Sequence, residues 1–264
     1  MVLDPLPNFI GFFYAVTMIF IVAYLWYSCH WRLKIGWLVL ILSSILGFLL
    51  FSPVVPYQFQ QIVLRNAQGL GAPLIAGIVG LAILFVLTWI FGRFFCGYLC
   101  PVGAVQEIAY SAPAPKFRPP RKILFLIIRS LVFLAIILAA VAFSFSLLEV
   151  FGIKDFFYLT LTAGSAVFVL VLLISLFFYR PFCRLVCPVG FLFSLGAVKS
   201  LFRLHRTNNC INCKKCEKVC PSEEGKKEDR KAECYLCGRC RDICPKGGAL
   251  IYSMNQELSG PKED

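Results

Sequence analysis

The sequence predicts a membrane α-helical bundle of about five crossing helices, followed by a small α+β domain rich in cysteine. Three observations point there. Hydrophobic residues fill 59% of the 264 positions, against roughly 45–50% in soluble domains. Five apolar stretches reach or approach the ~20 residues that a bilayer requires. Eight of the thirteen cysteines crowd into residues 210–245. Charged residues supply only 15%, where about 25% is usual, so too little polar surface remains for a water-facing globule or a disordered chain.

The chain divides by composition. Residues 1–202, read as the transmembrane domain, hold thirteen basic and four acidic residues, a net +9. Residues 203–264 hold thirteen and ten, a net +3, and divide into a cysteine-rich domain at 203–255 and a tail at 256–264. The overall +12 is scattered through connections and forms no face for nucleic acid. Its ordinary reading is helix orientation.

The apolar stretches lie near 8–29, 35–52, 73–92, 123–147 and 157–179. The second is short and contains Gly47. No small-residue cleavage site follows the first, and Asp4 stands where a signal peptide carries basic residues, so it reads as a retained helix. Arg32 and Lys34, then Arg93 to Lys122, then Arg180 to Arg206 place the corresponding connections inside. The 53–72 connection carries only Arg65, and 148–156 sets Lys154 against Glu149 and Asp155. The expectation is a multi-pass protein of the cytoplasmic (inner) membrane, N-terminus outside and cysteine-rich domain in the cytoplasm. A four-helix version with one re-entrant span is the alternative.

The third and fifth stretches end in matching peptides, GRFFCGYLCPVG (92–103) and YRPFCRLVCPVG (179–190), related by an offset of 87. Arg93, Phe95, Cys96, Cys100 and Pro101–Gly103 recur as Arg180, Phe182, Cys183, Cys187 and Pro188–Gly190. An i, i+4 spacing predicts both cysteines of a pair on one helical face, with the proline ending or redirecting the helix. Parallel repeats would then bring Cys96, Cys100, Cys183 and Cys187 together as a four-thiolate cage for a third iron–sulfur cluster at the membrane boundary. Packing thiols, redox disulfides and zinc compete with that reading. So does a division into two sites completed by other ligands.

The C-terminal domain carries the clearest chemistry. Cys210, Cys213, Cys216 and Cys220 precede Pro221, and Cys234, Cys237, Cys240 and Cys244 precede Pro245. Two C-x-x-C-x-x-C-x-x-x-C-P runs are the signature of a bacterial-type ferredoxin with two 4Fe–4S clusters, in which each fourth cysteine crosses to the other site. One cluster is expected on Cys210, Cys213, Cys216 and Cys244, the other on Cys234, Cys237, Cys240 and Cys220. Iron is therefore the metal expected on all of these cysteines. Zinc modules lack the third cysteine and the proline. The charged loop 222–233 reads as a solvated connection. No nucleotide-binding motif is present.

A chain with two R-x-F-C-x-x-x-C-P-x-G copies and a C-terminal two-cluster ferredoxin resembles the NapH/MauN-type membrane ferredoxin family. The likeness runs from about residue 35 to about residue 250. It implies 4Fe–4S clusters in the tail, boundary cysteines at an electron-entry site near the quinone pool, and redox subunits of a larger complex as partners. NosR-like and CcoG-type proteins share the architecture with large added domains, so the resemblance favours the compact NapH-like branch. That family commonly has four core helices, and the first stretch here is additional.

Candidates for a quinone site are Arg129, about two turns inside the fourth stretch; Glu107, following the first motif; and His30, beside Cys29. The competing readings are a snorkelling arginine, a solvated interfacial carboxylate and a boundary residue. Cys29 reads as a packing thiol, His205 as a strand residue, and Trp89 and Tyr98 as interface aromatics. The function expected is electron transfer between the quinone pool, or a partner subunit, and the ferredoxin-type clusters of a respiratory system. Whether that makes the chain a quinol dehydrogenase or a wire stays open. A maturation or regulatory factor that reduces a metal or thiol elsewhere is the alternative, and a scaffold stabilised by its clusters is a third.

Overall fold

The computed structural model describes residues 6–48, 55–66, 70, 73–117, 122–144, 146, 148 and 163–254. Asp4, Glu149, Lys154, Asp155 and the tail 256–264 lie outside them. In chain order the elements are α1 (Leu6–Tyr27), α2 (Leu33–Leu46), α3 (Val55–Val63), α4 (Leu74–Phe91), a first π-turn (Phe95–Leu99), α5 (Pro101–Tyr110) and α6 (Lys122–Phe143). Then follow α7 (Ala163–Phe177), a second π-turn (Phe182–Val186), α8 (Pro188–Val198), β1 (Phe202–Arg206), α9 (Lys215–Val219), α10 (Arg239–Asp242) and β2 (Leu250–Met254).

Stretches of α1, α4 and α6, at Ile10–Tyr27, Leu74–Phe91 and Ile123–Phe143, are long and apolar enough to cross a membrane. Their outward faces are greasy. Ile75, Leu131 and Val141 project away from the protein, as does Leu38 of α2. A helix satisfies its own backbone hydrogen bonds, so lipid is a suitable solvent for such faces. The other two predicted spans are represented by α2 and α7, of 14 and 15 residues. Positions 49–52 and 157–162 of those predicted spans lie outside the described residues. The first and fourth spans stop earlier than predicted, at Tyr27 and Phe143. Cys29 (φ 60°) and Ser144 (φ 49°) adopt left-handed backbone that an α-helix cannot continue through.

The repeats pack reciprocally. α5, which follows the first cysteine motif, lies on α7 of the second repeat, and α8, which follows the second, lies on α4 of the first. This exchange brings the two motifs face to face.

In the C-terminal domain β1 and β2 pair antiparallel, Phe202 opposite Met254 and Arg206 opposite Leu250. His205 is a strand residue, opposite Ile251. The domain sits directly on the helices. Tyr252 donates to the Phe91 carbonyl at 2.6 Å, and its ring packs among Trp26, Phe94 and Phe202.

Candidate metal centre

Each repeat motif is built by a break, a π-turn and a proline. Gly92, at φ +82°, ends α4, a backbone state that glycine tolerates best. The next turn is widened, with Cys100 N–H donating to the Phe95 carbonyl at 2.8 Å and, 87 residues on, Cys187 N–H to Phe182 at 2.9 Å. Pro101 and Pro188 then start new helices, where a missing N–H costs nothing. The residue before a proline is driven out of the α region, so Cys100 and Cys187 are extended (ψ 117° and 115°). The predicted placement of each pair on one α-helical face is therefore corrected. The first cysteine sits in a π-turn and the second caps the following helix.

The four thiols nevertheless converge. Burial, followed by the other thiols of the group, raises Cys100 and pushes Cys187 up to about 12; burial pushes Cys183 up to about 11 against Arg180, with Cys96 adding to the rise. Gln106 crosses between the repeats, its Nε2 3.5 Å from Cys183 Sγ and its Oε1 accepting from Phe182 N–H at 3.1 Å. The Gly190 amide donates to Cys187 Sγ at 3.3 Å, and the Gly103 amide serves Cys100 in the same way. A Cβ on Gly103 would lie 2.6 Å from the Cys96 carbonyl, and one on Gly190 2.8 Å from that of Cys183. Both repeats need glycine there.

In the C-terminal domain Cys210, Cys213, Cys216 and Cys244 line one small cavity. Cys220, Cys234, Cys237 and Cys240 line another of about 680 Å³, which Cys216 also borders. Cys216 and Cys220 of the first run thus both stand beside the cysteines of the second. Amides of Glu217, Leu236 and Arg239 point at Cys216, Cys234 and Cys237. Grouped thiols with N–H donors aimed at sulfur suit iron–sulfur ligation. Among the described residues no three His, Cys, Asp or Glu groups close on a single metal ion. A cubane, which takes one thiolate per iron, spreads its ligands more widely.

The cysteine groups are joined by a docked loop. Tyr235 is buried between the repeat-related Arg93 and Arg180, whose guanidinium carbons lie 4.3 and 4.6 Å from its ring centre. Tyr98, read from sequence as an interface aromatic, is buried and donates to the Leu236 carbonyl at 2.8 Å. Trp89 is exposed.

Two carboxylates fasten this loop, and neither is a solvated group. Glu233, assigned to a solvated connection, is gripped by Arg129, by Arg93 at 3.0 Å and by Arg184 at 3.9 Å. Glu107, considered as a solvated interfacial group, is buried. It accepts from Tyr179 at 2.7 Å and pairs with Arg180 at 2.9 Å and Arg239 at 2.6 Å. Burial alone would raise each carboxyl, but the guanidiniums outweigh it and hold both below the usual value. Arg129 is buried and paired, so it does not snorkel. His30 is exposed on the turn after α1 and lines none of the cavities that contain cysteine. Cys29, expected to pack, is exposed, and its carbonyl accepts from Arg241 at 2.7 Å. A cavity of about 250 Å³ between α2 and α5 is lined by Trp37, Tyr98, Glu107, Tyr110, Cys237 and Arg239.

From sequence Arg93, Arg180 and Arg184 read as topology signals; in the structure all three are buried among these groups. The offset of 87 shared by Arg93 and Arg180 was the available sign of a structural role.

Residues 73–120 and 160–206 each match a family described as a 4Fe–4S binding domain. The match falls on the membrane repeats. Over 55% of its length the chain is 32% identical to an uncharacterized protein of Methanocaldococcus jannaschii, covering 66% of that protein. It is 28% identical over 56% of its length to the putative electron transport protein YccM of Escherichia coli, covering 46% of it. To the methylamine utilization ferredoxin-type protein MauN of Methylorubrum extorquens it is 29% identical over 67% of its length, covering 63%. The chain thus spans about half to two thirds of the length of these relatives. No solved structure matches it.

Proposed function

Given that the chain belongs to the NapH/MauN-type ferredoxin family, we propose that it is a membrane-bound iron–sulfur electron carrier. It links the quinone pool, or a partner subunit, to two ferredoxin-type clusters of a respiratory system. Cys210, Cys213, Cys216 and Cys244 hold one 4Fe–4S cluster, and Cys234, Cys237, Cys240 and Cys220 hold the other. Cys96, Cys100, Cys183 and Cys187 hold a third cluster at the membrane boundary. Bound there, the clusters supply one-electron stores whose potentials follow burial and hydrogen bonding.

The observation that carries this reading is the order of the thiol groups. Buried Cys96, Cys183 and Cys187, with half-buried Cys100, lie just past the ends of α4 and α7. Tyr235 and the Cys234–Cys240 group follow, and the Cys210 group with exposed Cys213 comes last. Five spans with the N-terminus outside complete the proposal, with this order running from lipid to cytoplasm. Of the quinone candidates, Glu107 lines the cavity between α2 and α5, beside Cys237, and that cavity is the proposed site for a quinone ring. Exposed Ile211 among Lys214 and Lys215 suits docking of an acidic redox partner.

The test is an iron count on anaerobically purified full chain. About twelve irons are expected, falling to about eight in Cys96→Ser/Cys183→Ser. A quinol analogue should reduce the wild type, read by electron paramagnetic resonance. Unchanged iron in the double variant overturns the boundary site, and reduction by soluble donors alone overturns the quinone link.

A further inference from the structure

The layer between the membrane helices and the C-terminal domain is electrically one-sided. Arg93, Arg129, Arg180 and Arg184 are buried there, and Arg239 is largely covered. Glu107 and Glu233 are the acidic groups paired with them. Five guanidiniums face two carboxylates, leaving three positive charges in excess. Low-dielectric surroundings make unpaired buried charge costly. Arginine cannot shed its proton to escape that cost.

The excess has a direction. Arg93 Nε, Arg129 Nε and Nη2, and Arg184 Nη1 are buried with no hydrogen-bond partner among the described residues. Arg93 Nη2 donates to the Gly190 carbonyl at 3.2 Å and Arg180 Nη2 to the Gly97 carbonyl at 2.7 Å, so both reach into the cysteine motifs. Both repeat glycines make room for this. The point where a Gly190 Cβ would sit is 3.1 Å from Arg129 Nη2 and 3.4 Å from Cys187 Cβ. The equivalent point at Gly103 is 3.2 Å from Arg180 Nη1, which also donates to the Cys96 carbonyl. Two glycines 87 residues apart thus leave room for two arginines beside the two cysteine motifs.

We propose that the boundary thiols, ionised around an iron–sulfur core, are the anion this arginine cage is built to face, and that Arg129 is the positioning residue that sets the centre's reduction potential. The inference rests on the boundary site proposed above. Four thiolates on a core of about +2 carry about −2, opposite in sign to the excess and close to it in size. Glu233 acts in the opposing sense. It arrives on the docked loop, takes one bond from Arg129 and weakens the positive field on the thiols.

The test is a reductive titration of anaerobic full-length protein in nanodiscs, followed by electron paramagnetic resonance. The boundary signal is the one that Cys96→Ser/Cys183→Ser removes. Arg129→Gln should move its midpoint to more negative potential, and Glu233→Gln to more positive. The signal that depends on Cys210 should stay in place. Opposite signs separate charge tuning from loosened packing, which would move both variants the same way. Should Arg129→Gln lose the boundary iron, Arg129→Lys must retain the wild-type midpoint, and the sign of Glu233→Gln decides. Shifts of one sign, or none with iron retained, overturn the role of Arg129 and leave the boundary site standing. Loss of the site itself would show separately, as iron unchanged by the double cysteine variant.

Discussion

Glu107 Oε1 lies 2.6 Å from Arg239 Nη2, joining α5 of the membrane domain to the loop that carries Cys237 and Cys240. The reverse pairing stands beside it, with Glu233 of that loop held by Arg129 of α6. Acid and base are exchanged between the two sides, so the cysteine-rich domain docks in one register.

Removing one partner of a buried pair leaves an uncompensated charge. Glu107→Gln should therefore destabilise the docked arrangement by about 3 kcal/mol. Hydrogen exchange should rise in residues 232–241 while α1 and α4 stay protected. Uniform loss of protection would mean that Glu107 supports the bundle and not the docking.

Gly97 makes a second contact of this kind. A Cβ there would meet the Tyr235 carbonyl at 2.5 Å, and backbone cannot move aside cheaply. Gly97→Ala should cost about 1–3 kcal/mol by overpacking. It should also lift Tyr235 from between Arg93 and Arg180, raising Tyr235 exposure to solvent in chemical labelling. An unchanged melting point with Tyr235 still protected would contradict the contact.

Spacing revealed the chemistry, while proximity hid its surroundings. That the eight C-terminal cysteines gather round two neighbouring cavities was legible, because two cysteine runs with their prolines mark them locally. The convergence of Cys96 with Cys183 was legible because the repeat offset implies related positions. The π-turns were not, since a four-residue cysteine spacing also suits an α-helix. Arg129 and Glu233 are 104 residues apart in sequence. Nothing local to either shows that a loop carboxylate enters an arginine cage. Apolar periodicity located the helices but left their ends open, because left-handed Cys29 and Ser144 carry no distinctive sequence mark.

The crossing cysteine gives a third prediction. Cys220→Ser should weaken the centre that depends on Cys234, Cys237 and Cys240, although Cys220 belongs to the other run. Cys244→Ser should weaken the Cys210 centre. Combining each with Cys234→Ser or Cys210→Ser distinguishes the assignments by iron content. Cys220→Ser should add little to Cys234→Ser and much to Cys210→Ser. The reverse pattern would mean that each run holds its own cluster.

His205 gives a pH dependence whose sign can be worked out. It is half-buried in β1, and burial, with Arg203 and Lys231 nearby, pushes its pKa down to about 4 from 6.5. Its Nε2 has no hydrogen-bond partner among the described residues. Between those two values the unfolded chain binds the proton and the folded one does not. This residue's contribution is therefore fully present above about pH 6.5 and is lost as pH falls toward about 4. Thermal unfolding of the iron-loaded protein should show a lower midpoint at pH 5.5 than at pH 7.5. His205→Gln cannot take up the proton and should shrink that difference, even if its midpoint at pH 7.5 is lower. Equal pH differences in the two proteins would show that some other group governs the acid side, and that His205 titrates alike in the folded and unfolded chain.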